Sequence, residues 1–173
     1  MFYPGDFEEL RHDLRGYLNG SICKKNFSAK NNYDISDIRA LIVPHAGYVY
    51  SGEIAASAYR LLLQKSEKYK RVLILGPAHR VWISGAAFPS VEFFETPLGK
   101  IKLDKVMMEQ IMKKMPWVSI NDKAHSQEHC IEVQLPFLQE TLEDFVLIPM
   151  VVGETKPEQI AEVINQFIDD EET

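Results

Sequence analysis

Cysteine is scarce in this chain: Cys23 and Cys130 are the only two in 173 residues. Two thiols cannot make a disulfide framework, so a reducing cytoplasm is the default compartment. Positive charge is in deficit, with 19 Lys and Arg against 25 Asp and Glu and a formal net charge of −6. A general nucleic-acid binder carries a basic stripe instead. Long apolar runs are missing. A stretch such as Phe145–Val152 falls far short of the roughly 20 residues that a membrane helix needs. The opening MFYPGDFEELRHDL has no basic segment followed by an apolar one, so no signal peptide is visible. Phosphate-loop, dinucleotide, HExxH and CxxC patterns are absent, as are internal repeats and linkers rich in Pro, Gly or Ser. What is left is a soluble globular chain, 46% apolar and 25% charged, both ordinary values. One domain over residues 1–173 is the simplest organisation.

The elements follow from periodicity. Asp6 is a natural helix N-cap, and Phe7, Leu10, Leu14 and Leu18 recur at helical spacing up to Gly20, which predicts a helix over 7–18. Residues 21–37 are polar and read as a loop. Ile38–Val43 and Arg71–Gly76 are short apolar runs bounded by turn residues, the pattern of strands buried on both faces. A helix is expected over about 51–66. Ala86–Phe88 and Val91–Phe94 read as short strands, 96–100 as a turn or hairpin, and Asp104 as the cap of a helix over 105–114. Residues 116–128 read as irregular. His129–Leu142 reads as a helix that Pro136 kinks or restarts. Phe145–Val152 is a third strong strand, with Pro149 pointing to an edge position or bulge. Thr155 is expected to cap a last helix over 157–169. Alternating strands and helices make this an α/β fold with a mainly parallel central sheet flanked by helices.

The chemistry collects at strand ends. Val43-Pro44-His45-Ala46-Gly47 and Leu75-Gly76-Pro77-Ala78-His79 both run from an apolar strand through Pro or Gly into a histidine. Open α/β sheets bind ligands beyond the carboxyl ends of their strands. Neighbouring strands would bring His45 and His79 to one metal or one substrate. Either imidazole alone is more often a polar loop residue, and imidazole does not choose among Fe, Zn, Cu and Ni. A third cluster runs from His125 to Glu132. On a helix it would pair Glu128 with Glu132 and His125 with His129 on shared faces, as acids, bases or ligands for that site or as a salt-bridged surface. Cys130 within it reads as a small buried hydrophobe. Tyr48 and Tyr50 flank the first histidine, and Arg80 follows the second.

Five blocks occur together in order: FYPGDFEEL, IVPHAGYVYSG at 42–52, ILGPAHR at 74–80, EHCIEVQLPFLQ at 128–139 and IPMVVGE at 148–154. On these the chain resembles the Memo family, whose prokaryotic members are named AmmeMemoRadiSam system protein B. The resemblance implies a fold like the catalytic subunit of class III extradiol dioxygenases, with His45 and His79 as metal ligands and His129 as the catalytic acid or base. It implies a transition metal, iron favoured with copper or zinc as alternatives, and redox or dioxygenase-like chemistry. Tyr48, Arg80 and Glu128 are then expected to bind substrate. Relatives continue into a further strand and a later Cys that completes the metal site, so the third ligand is not identified in this chain and the sheet is expected to be incomplete at its C-terminal side. Cys130 stands where the family commonly has Ser. Expected partners are a small-molecule or peptide ligand, a radical-SAM protein by family analogy, and a second copy through an exposed sheet edge; neither nucleic acid nor membrane is expected. A non-catalytic ligand-binding scaffold and an inactive shortened family member are the alternatives.

Overall fold

The leucine repeat near the N-terminus folds as its spacing dictates. In the computed structural model, which describes residues 2–20, 38–167, 170 and 172–173, the carboxylate of Asp6 accepts from the amides of Glu8 and Glu9 and starts α1 (Phe7–Leu18). Leu10, Leu14 and Leu18 are buried along one face. The loop expected over 21–37, with Cys23 in it, lies outside the described residues, as do positions 168–169 of the last helix expected over 157–169.

These residues fall into two compact units. The first takes Met1–Glu67, Thr96–Gly99 and Val133–Glu143; the second takes Lys68–Glu95, Lys100–Glu132 and Asp144–Thr173. In the first unit, α1 packs on α2 (Tyr48–Tyr59), which continues as a 3-10 turn over Arg60–Lys65, and on α5 (Leu135–Thr141). Phe137 is fully buried there. Its ring stacks on Tyr59 at 5.1 Å and tilts against Tyr48 at 4.9 Å, contacts each worth about 0.5–1.5 kcal/mol beyond their buried area. Pro136 sits in the first turn of α5, where a missing N–H costs nothing. The helix expected from His129 therefore begins only at Leu135, after a 3-10 turn over Glu132–Gln134.

Ile38–Val43 departs from expectation. Among the described residues it forms no strand, and Ile42 is fully exposed. An apolar run signals burial, but a strand exists only where a neighbouring ladder takes up its amides, and none of the described strands pairs with it.

The second unit holds the central sheet, in the order β1 (Arg71–Pro77), β6 (Val146–Val152), β2 (Ala86–Phe88), β5 (Val118–Ile120). β1 and β6 are parallel, as are β2 and β5, while β2 meets β6 antiparallel. Helices α3 (Lys105–Lys114), α4 (Asp122–Ser126) and α6 (Pro157–Asn165) flank it, so the chain is mixed α/β with a mainly parallel sheet. Leu147, Ile148, Met150 and Val151 of β6 are fully buried. Pro149 thus lies in an inner strand and not at an edge. It is tolerated because β2 reaches only Val151 and Val152, leaving Pro149 a partner, Ile74, on the β1 side alone. The region 116–128 is more ordered than its composition suggests, since it contains β5 and α4, the latter capped by Asn121. Asp104 caps α3 through the Met107 amide. A separate hairpin, β3 (Phe93–Thr96) and β4 (Gly99–Lys102), turns at Gly99 with φ +121°, a backbone conformation that suits glycine. The cap of α6 is Lys156 and not Thr155, with the Lys156 amide donating to Gln159 Oε1.

Candidate metal centre

The site grows out of the end of β1. The amide of Ala78 still donates to the Val152 carbonyl at 2.8 Å, and the next residue, His79, opens the loop at the carboxyl ends of the parallel pair β1 and β6. Gly76 is required just before it. A Cβ there would lie 2.4 Å from Cys130 Sγ and 3.1 Å from Ile131. Its absence lets the 128–130 turn come against the strand, and the Cys130 thiol donates to the Pro77 carbonyl at 3.3 Å. Burial and the neighbouring Glu128 charge push that thiol up to about 12, so it stays protonated and inert.

Glu128 is the centre of the arrangement. Its Oε2 accepts from the His79 amide at 2.7 Å. Its Oε1 lies 2.9 Å from His79 Nδ1 and accepts from the amides of His129 at 2.8 Å and Cys130 at 3.2 Å. His129 Nδ1 is 3.3 Å from the same oxygen. Burial alone would raise the Glu128 carboxyl, but these donors outweigh it and hold it at about 2. The two imidazole rings stack at 5.3 Å. His79, Glu128 and His129 each offer a ligand atom, and these atoms lie within 4.8 Å of one another. Among the described residues they form a group able to hold a metal ion.

The structure brings together three of the residues singled out from the sequence: His79, Glu128 and His129. His45 belongs to the first unit. So does Tyr48, which is buried and donates its hydroxyl to the Val133 carbonyl at 2.9 Å. Arg80 is exposed. His125 stands apart from the cluster: α4 ends at Ser126, so His125 and His129 share no helix face, and neither do Glu128 and Glu132. Its Nε2 lies 3.0 Å from the Ala87 carbonyl, and burial lowers its pKa below the ordinary value. Sequence reasoning missed Gln134, which is buried in the first unit. It accepts from the Tyr59 hydroxyl at 2.9 Å and donates to the Pro44 carbonyl at 3.1 Å, fixing the loop that carries His45. The signal was a lone amide inside the apolar run Val133–Leu138.

The family described as Memo-like protein matches residues 1–173. A MEMO1 family protein of Saccharolobus islandicus is 37% identical over 171 residues, covering 96% of this chain and 59% of the relative. One of Saccharolobus solfataricus is 38% identical over 171 residues with the same coverage, and one of Metallosphaera sedula is 35% identical over 167 residues, covering 96% of this chain and 58% of the relative. The chain thus spans less than two thirds of the length of these curated relatives. Among the described residues no helix is long and apolar enough to cross a membrane.

Proposed function

The chain belongs to the Memo family, and on that premise we propose that it carries a transition-metal centre for redox chemistry of the non-haem-iron, dioxygenase-like kind. One observation carries the reading: two imidazoles and one ionised carboxylate converge at the carboxyl end of a parallel strand pair, with ligand atoms within 4.8 Å. Paired imidazoles beside a negative carboxylate suit a transition ion without choosing among them, and the family resemblance favours iron over copper or zinc. His79 and His129 would hold the ion through imidazole nitrogens, with the negative charge of Glu128 beside them. When bound, such an ion offers open positions for a substrate and an oxidant. An imidazole that ligates through one nitrogen keeps the other for a proton, and His129 Nδ1 lies within ion-pair range of Glu128 Oε1, at 3.3 Å. The same reading puts the protein in a reducing cytoplasm, in keeping with the buried thiol of Cys130.

The test is metal analysis of the purified protein after loading with Fe(II) under anaerobic conditions. Near-stoichiometric iron in the wild type, lost in His79→Ala and His129→Ala, is the expected outcome. Metal content unchanged by both substitutions would sink the reading and leave a ligand-binding scaffold as the better description.

A further inference from the structure

We propose that Glu128 is the positioning carboxylate of this centre, fixing His79 by its Nδ1 side so that Nε2 faces the ion, and is not itself a metal ligand. The inference deepens the metal reading above and rests on it for the ion.

The hydrogen-bond directions make the case. Oε1 of Glu128 faces the amides of His129 and Cys130 at 2.8 and 3.2 Å. Amide groups can only donate, so Oε1 is an acceptor. The third close neighbour of that oxygen is His79 Nδ1 at 2.9 Å. Between an acceptor oxygen and an imidazole nitrogen, the proton must sit on the nitrogen. Nδ1 of His79 therefore carries a proton, and in the neutral ring the lone pair is then on Nε2. A carboxylate that takes the outer N–H of a ligating histidine fixes the tautomer and the ring plane and strengthens the ligand.

Crowding points the same way. Oε1 has three donors within 3.2 Å and His129 Nδ1 at 3.3 Å, while Oε2 is taken by the His79 amide at 2.7 Å. To ligate through Oε1, Glu128 would have to give up contacts with the amides of His129 and Cys130 or with His79 Nδ1. Exposure is graded as well: the Glu128 side chain is 2% exposed, that of His129 18% and that of His79 38%. An ion arriving from solvent meets the imidazoles first and the carboxylate last. The Cys130 thiol on the Pro77 carbonyl adds a second tie between the same two turns. The pair of histidines is thus set before any ion arrives.

Two binding modes are at issue, and they differ at one atom. If Glu128 only positions, Nδ1 of His79 keeps its proton when metal is bound. If Glu128 ligates beside Nδ1, the ion replaces that proton. Long-range 1H–15N NMR of the wild-type chain decides between them, first metal-free and then titrated with Zn(II), a diamagnetic probe. The expected result is the Nδ1–H tautomer of His79 in the metal-free protein, an Nδ1–H signal that persists with Zn(II), and a zinc-induced shift at Nε2. An Nε2–H tautomer, or loss of the Nδ1 proton as zinc binds, overturns the proposal. Glu128→Gln keeps the size but turns one acceptor into a donor facing donors. It is expected to bind Zn(II) about 10–100-fold more weakly at unchanged stoichiometry and to give a mixed His79 tautomer; unchanged affinity overturns the proposal. Should Zn(II) not bind the wild type at all, the metal reading fails, and the metal-free tautomer still decides what Glu128 does.

Discussion

At the residue scale, the most informative group is a carboxylate that five nitrogen atoms surround. The ordinary carboxyl pKa of Glu128, 4.5, drops to about 2 in the folded chain. Between those values the unfolded chain binds more protons than the folded one, so stability rises with pH. The contribution is complete above pH 4.5 and is lost as the pH falls toward 2. His125 adds to it in the same direction: burial lowers its pKa from 6.5, so its share is complete above that value and is lost at lower pH. Urea midpoints measured from neutral pH down to about 3 are expected to fall in the wild type, with the steepest loss below 4.5. In Glu128→Gln that lower arm should be missing while the His125 arm stays. The same acid loss in both proteins would contradict this account. Glu128 also shows what a sequence conceals. Its residue type marked it as polar and reactive, but only the surrounding amides reveal that its oxygens are already occupied.

At the element scale, the close meeting of β1 with the 128–130 turn depends on the missing side chain of Gly76. A methyl group there would have to displace Cys130 Sγ, 2.4 Å away, and Ile131, 3.1 Å away. Gly76→Ala is therefore expected to cost about 1–3 kcal/mol, the usual penalty for overpacking. Shortening the neighbour in Gly76→Ala/Cys130→Ala should recover part of it, since contacting residues are not additive. Chemical denaturation of the wild type and the three variants gives the coupling, and full additivity would show that the two positions do not press on each other. The capped helices were legible in the sequence because their signals are local: Asp6 and Asp104 bond amides within three residues. Strand neighbours were not legible. Pro149 suggests an edge to any local reading, whereas its inner place depends on how far β2, some sixty residues earlier, runs along β6.

At the scale of the whole molecule, β1 stands at the end of the sheet formed by the described residues. Among the described residues β1 has one neighbour, β6, and its residues Val72–Leu75 remain half-exposed where those of β6 are buried. In the first unit Ile42, Val49 and Tyr50 are almost wholly exposed. An apolar strand at the end of a sheet is a template for another chain. Association that grows with concentration is the expected behaviour in sedimentation velocity. A lysine introduced on that strand, Ile74→Lys, should reduce it, and a monomer at every concentration for the wild type would argue against a sticky edge.

The sequence by itself determined the α/β class, the helices capped by Asp6 and Asp104, the turns after Pro44 and Pro77, and the residues from which a metal centre could be built. Periodicity and capping act over a few residues and can be read locally. Only the tertiary structure decided that His79, Glu128 and His129 meet, that Glu128 is used by amides from both turns, and that Ile38–Val43 goes without a ladder among the described residues. Each of these depends on which distant backbone supplies the donor or the partner strand, and nothing within a few residues of the chain specifies that.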